Sequence, residues 1–200
     1  ASIAVEILTI RQLLPVAGGS VVVTSLIIGI FLLFLALGYD WGGRVKERLE
    51  SVLRLNFLMT SVLSGIGLSY LFIFAFFGVI QRFTGPHIVY PLIAYLLLVL
   101  APIVFLLGQT LPITMNIVKQ DRMAGVIAGK ALGLSTIGSF LGAIFTTVVL
   151  MHFFGVAVTV FTVFALLMGL SLFLSESLKT FLIKAVFAFL ESKFINFNLK

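Results

Sequence analysis

Few residues in this chain could do chemistry, and Glu6 is the most unusual of them. It lies in an apolar stretch, with Arg11 about a turn and a half further on. A carboxylate at membrane depth is costly, and it faces the protein interior or a partner. Glu6 is therefore either a proton or cation site, or a buried tether that pairs with a cation or, when protonated, donates to a carbonyl. A second cluster, Gln109, Thr110, Thr114 and Asn116, flanks Pro112. It would line a ligand path if the helix were unwound there, because freed carbonyls and amides are tolerated in a membrane only where protein or a cavity covers them. Otherwise it is the polar end of a kinked helix. Lys130 is expected to snorkel to the surface. His87 and His152 fall in separate loops, which argues against a metal site, and the absence of cysteine excludes thiol catalysis, disulfides and Cys-based metal sites. The sequence holds no nucleophile–base pattern, glycine-rich phosphate loop or carboxylate pair of catalytic spacing. It implies no catalytic residue, cofactor or metal.

The elements that must carry these residues are set by four tracts free of Asp, Glu, Lys and Arg: Gln12–Tyr39, Leu55–Gln81, Phe83–Val118 and Ala131–Ser175. A hydrocarbon core about 30 Å thick takes about 20 helical residues to cross. Hydrophobic residues make up 61% of the chain and charged residues 10%, with a mean hydropathy of +1.26. A soluble domain carries about a quarter charged residues, so this composition cannot cover a water-facing surface. The net charge of +6 fits basic loops on the cytoplasmic side of a membrane and not a nucleic-acid partner. No signal peptide is visible, and residues before Ala1 are expected to be missing from this numbering.

The fold expected is all-α: a polytopic transmembrane bundle of about six spans over residues 1–175, followed by a cytoplasmic amphipathic tail over 176–200. The apolar piece Ala1–Leu14 reads as the end of a first membrane helix, with a turn at Pro15, Gly18 and Gly19. Helix two is expected over Ser20–Leu37, helix three over Val52–Ile80, and helix four from Val89, interrupted at Pro102 and Pro112. Helix five begins near Ala124, and a break at His152–Gly155 separates it from helix six, Val156–Leu174. Eleven of the thirteen basic residues then fall on one side, leaving Arg11 and Arg82 opposite. By the positive-inside rule both termini face the cytoplasm. In the tail, Phe181, Leu182, Ala185, Val186, Phe189 and Leu190 recur at helical spacing, as in a helix lying in the interface. A seventh crossing is the rival.

Helix five carries two stripes of small residues. Gly125, Gly129 and Gly133 form one; Gly138 and Gly142, with Ser135 and Ser139, form another on roughly the opposite side. Small residues let helices approach closely in lipid, so a central helix gripped from both sides is expected; a sliding surface in a transporter is the alternative.

Three segments, Glu6–Arg11 with Gly18–Ser20, Phe34–Arg44, and Gly125–Gly142 with Phe154–Val156, together resemble the integral membrane domain of bacterial spermidine synthase-like proteins, a major-facilitator-like region fused to a spermidine synthase. Gly108–Pro112 fits the same pattern. The resemblance covers residues 1 to 175 and implies a bacterial inner-membrane protein. In that family an aminopropyltransferase-like domain follows, and nothing here matches its motifs. The expected function is therefore non-catalytic: a scaffold or anchor embedded in the lipid bilayer that holds other membrane or cytoplasmic subunits. The alternatives are a small transporter of a polyamine or other cationic metabolite, or the membrane piece of a longer aminopropyltransferase-like enzyme.

Overall fold

The computed structural model describes residues 2–85, 87–118 and 124–174, with the backbone alone at 118, 124–128 and 130. The amphipathic tail expected over 176–200 lies outside the described residues. Among the described residues there are only helices. Helix α1 spans Ser2–Ala17, α2 Val21–Arg44, α3 Leu49–Gly67, α4 Tyr70–Thr84 and α5 Val89–Tyr95. A π-helical turn, Leu96–Leu100, joins α5 to α6, Ala101–Val118. Helix α7 spans Ala124–Ile144 and runs on through π-helical turns, Phe145–Phe154, to α8, Gly155–Phe173.

Local chemistry explains several boundaries. The Ser20 hydroxyl accepts the Val23 N–H at 3.2 Å and caps the start of α2. Gly18 and Gly155 have φ of +80° and +78°, a region open to glycine at little steric cost. Gly18 ends α1, and Gly155 breaks the long apolar run where the sequence predicts.

Three expected boundaries differ. Helix two does not end at Gly38: α2 continues to Arg44, because Gly38 and Gly42 pack into α6. Helix three is not continuous over Val52–Ile80; it breaks at Leu68–Ser69 into α3 and α4. Helix four is not interrupted at its prolines. Ahead of Pro102 the ladder slips by one, with the Ala101 N–H bonding to the Leu96 carbonyl, and the helix then runs through both Pro102 and Pro112.

Hydrogen bonds between helices fix their directions. Asn56 bonds to Gln109, and the Gly67 carbonyl accepts from Tyr95, so α3 runs antiparallel to α5–α6. Ser61 bonds to the Phe164 carbonyl and Ser171 to the Arg54 carbonyl, so α8 also runs antiparallel to α3. Helices α2 and α6 run parallel, with Gly38 against Phe105 and Asn116 against the end of α2. Helix α4 packs on α5, where Phe76 and Phe77 meet the Tyr95 ring.

The distribution of polarity is the reverse of a water-soluble protein's. Gln12, Asn56, Thr60, Ser61, Ser64, Gln109, Thr159 and Ser171 are buried, while Leu71, Phe83, Val21 and Leu134 are more than 70% exposed. Four apolar helical stretches are long enough to cross a membrane: Val21–Arg44, Leu49–Gly67, Val89–Ile117 and the 43-residue Ala131–Phe173, which bends at Gly155. Tyr70–Thr84 is a shorter apolar helix. The central element is Val89–Ile117, 61% buried against 22–28% for the others.

Candidate functional site

The break between α3 and α4 frees backbone groups that a continuous helix would satisfy. In a membrane each such group needs a partner from the protein. The Tyr95 hydroxyl donates to the Gly67 carbonyl at 2.8 Å, and the Gln12 side-chain amide donates to the Leu68 carbonyl. Both side chains are fully buried. Gln12 reaches the break from α1, and Tyr95 reaches it from the last turn of α5 before the ladder slips. Two helices, α1 and α5, therefore converge on the two carbonyls of the break.

Beside this junction lies a cleft of about 450 Å³ lined by Gln12, Gly65, Ser69, Tyr70, Phe161 and Phe164, among others. Gln12 contributes to its wall. With its Nε2 committed to the Leu68 carbonyl, its Oε1 points away and accepts no hydrogen bond. That bond also fixes the amide's orientation, since a flipped group would set oxygen against oxygen.

The Gln109 cluster is not an unwound segment. Gln109, 5% exposed, accepts from Asn56 Nδ2 at 2.9 Å. Asn116 donates to the carbonyls of Gly43 and Val45 at the end of α2. Thr110 and Thr114 donate to carbonyls of their own helix, Leu107 and Thr110. The four residues predicted together thus divide between helix-to-helix ties and local bonds.

Glu6 is half-buried on α1 and forms no ion pair among the described residues, with Arg11 or with any other. Arg11 is exposed. One turn before Glu6, Ser2 joins Thr110, Thr114, Ser135 and Ser139 in a second cleft of about 410 Å³. Lys130 belongs to α7, and its side chain lies outside the described residues.

The glycines predicted to pack have open surroundings among the described residues. A Cβ at Gly129, Gly133, Gly138 or Gly142 would meet nothing within 4 Å; Gly125 lies outside the residues whose surroundings are described. Close approach occurs instead between α2 and α6. A Cβ on Gly42 would lie 2.7 Å from Gln109 Cα, and one on Gly38 would lie 2.5 Å from the Phe105 carbonyl oxygen. Gly108, facing Gly38, completes the contact.

No family model, curated protein or solved structure matches this chain.

Among the described residues no three His, Asp or Glu side chains gather where they could hold a metal ion. Among the buried residues, the bonded hydroxyls of Thr9, Ser61, Ser64, Tyr95, Thr159 and Ser171 donate to backbone carbonyls and to no carboxylate or imidazole. A serine or threonine nucleophile needs an adjacent base, and none of these has one. Sequence reasoning passed over Gln12, Asn56, Tyr95 and the α2–α6 glycines. Two signals were present: the four-residue spacing of Gly38 and Gly42, and that of Asn56, Thr60 and Ser64.

Proposed function

We propose that this chain is a non-catalytic scaffold of a bacterial inner membrane, crossing six times with both termini cytoplasmic and holding another membrane protein against α7. The observation that carries this reading is a contrast. The polar side chains of α3 and α6 tie helices together, whereas a Cβ on Gly129, Gly133, Gly138 or Gly142 of α7 would meet nothing within 4 Å among the described residues. Small-residue faces favour close helix contact in lipid. The resemblance to the membrane domain of spermidine synthase-like proteins fits the same role.

A photo-crosslinking residue at Ile137 or Phe140 of α7, in native membranes, tests the proposal. A discrete protein adduct is expected there and none from Leu32 on α2, although all three positions are exposed. Gly133→Leu with Gly138→Leu should abolish the adduct and leave the bundle intact. Cross-links to lipid alone from every position would end the scaffold reading.

Transport of a cationic metabolite is a second reading, favoured by unpaired Glu6 one turn from the hydroxyl-lined cleft. Proteoliposome uptake of a polyamine that disappears in Glu6→Gln would support it; no uptake by the unaltered protein would remove it.

A further inference from the structure

The cleft at the α3–α4 break combines features that point to a ligand. Its lining is mainly apolar: Gly65 from α3, Ala157, Val160, Phe161 and Phe164 from α8. Its volume of about 450 Å³ lies within the range of about 300–1,000 Å³ usual for small-molecule sites. None of its lining residues is charged. It lies at the apolar exterior, because Phe161 at its wall is 67% exposed and Leu71, which follows the lining residue Tyr70 on α4, is 84% exposed.

Its lining residues Gln12 and Ser69 carry polar groups. Gln12 Oε1 is a buried acceptor with no donor. An unpaired buried acceptor costs about 1–3 kcal/mol. Donors lie close by in sequence and lining. Ser69 sits at the N-cap of α4, yet its side chain caps nothing. The first amides of α4 have no intrahelical partner, as at any helix start. A carboxylate or phosphate would satisfy those amides but would meet the Gln12 and Leu68 oxygens as a repelled neighbour. An ammonium would satisfy the oxygens and be repelled by the amides. A neutral hydroxyl serves both, donating its proton to Gln12 Oε1 and accepting from the start of α4.

We infer that this cleft is a binding site for a neutral, hydroxyl-bearing amphiphile of the membrane, its hydroxyl seated between Gln12 and the N-terminus of α4 and its hydrocarbon body against Phe161 and Phe164. Gln12 lines the cleft, and its buried Oε1 is the acceptor left over once Nε2 is bonded to the Leu68 carbonyl. The site stands apart from α7 and does not depend on the scaffold reading.

The test uses the whole protein in nanodiscs and a long-chain alcohol bearing a photoactivatable diazirine. Labelling should map to the α8 segment containing Phe161 and Phe164, and unlabelled alcohol should compete it away. The methyl ether of the same chain, which cannot donate, should compete about fivefold to tenfold more weakly, the usual worth of one hydrogen bond. Gln12→Leu should lower labelling at least tenfold. Because that variant also loses the tie to Leu68, Ala157→Phe is the second variant: it obstructs the cleft wall without touching Gln12 and should lower labelling equally. Equal competition by alcohol and ether, or labelling that survives Ala157→Phe, would overturn the inference, as would absence of α8 labelling, the outcome if Gln12 Oε1 is met by a water only.

Discussion

At the scale of single residues, the buried polar groups separate into those that hold the fold and those that burden it. Asn56 and Gln109 satisfy one another across α3 and α6. Removing either leaves the other's amide buried without that partner, a loss of about 1–3 kcal/mol. A double-mutant cycle with Asn56→Ala and Gln109→Ala, read by thermal unfolding in detergent, should return a coupling of about 0.6 kcal/mol, the average for such pairs in membrane proteins. Zero coupling would mean that the bond does not form in the folded protein. Thr60 is the counterexample. It is fully buried, and its hydroxyl has no hydrogen-bond partner. Thr60→Val keeps the shape and removes the orphaned group, so unfolding should move to the same or a higher temperature. A marked drop would show that the hydroxyl is bonded after all. Tyr95→Phe belongs with the first class, since it leaves the Gly67 carbonyl at the helix break without its donor.

At the scale of elements, what decides stability is where backbones touch. Gly42 faces the backbone of Gln109 at distances no Cβ tolerates, and neither α2 nor α6 can yield locally. Gly42→Ala should therefore cost about 1–3 kcal/mol, the range for overpacking, while Gly29→Ala and Gly43→Ala, which open onto free space, should change unfolding little. Gly133→Ala belongs with the harmless pair; if it destabilised the isolated protein as much as Gly42→Ala, α7 would be packed far more tightly than described here. Gly155→Ala fails for a different reason. Its φ of +78° and ψ of 174° fall in a region that costs a side chain about 1–3 kcal/mol. The sequence made some limits of these elements legible, though not the end of α2 at Arg44. Gly155 reads as a break and the charge-free tracts as membrane-length helices, because a glycine's conformational freedom and hydrophobic length are local properties. The break at Leu68–Ser69 was not legible. No proline marks it, and it is held by Gln12 and Tyr95, which come from elsewhere in the chain. The same holds for glycine. Stripes on α7 and the Gly38–Gly42 pair are alike as patterns, and only the position of α6 tells which is used.

At the scale of the whole molecule, helix directions and the placement of charge lead to one prediction about orientation. Helices α2 and α6 run parallel, and α3 runs against them. The end of α2 with Arg44, the start of α3 with Arg48 and Arg54, and the end of α6 near Asn116 therefore share one side of the bundle. Arg82, in the last turn of α4, and His87, in the connection between α4 and α5, lie at the opposite side. Basic residues favour the cytoplasmic side, so the Arg44–Arg48 end should face inward and the His87 end outward. The chain has no cysteine, so single-cysteine labelling can be done without removing any native thiol. In intact cells a membrane-impermeant maleimide should label His87→Cys and leave Lys46→Cys unlabelled until the membrane is opened; both side chains are exposed, which makes access depend on sidedness alone. Labelling of both positions in intact cells would contradict a membrane-spanning arrangement. Labelling of Lys46→Cys alone would invert the orientation while keeping the helix directions. The apolar exterior argues against labelling of both: side chains such as Leu71, Phe83 and Leu134 stay uncovered where lipid surrounds them, lipid around the middle of the bundle leaves the two loop ends in different compartments, and the basic residues at the Arg44–Arg48 end favour the first result over its inverse.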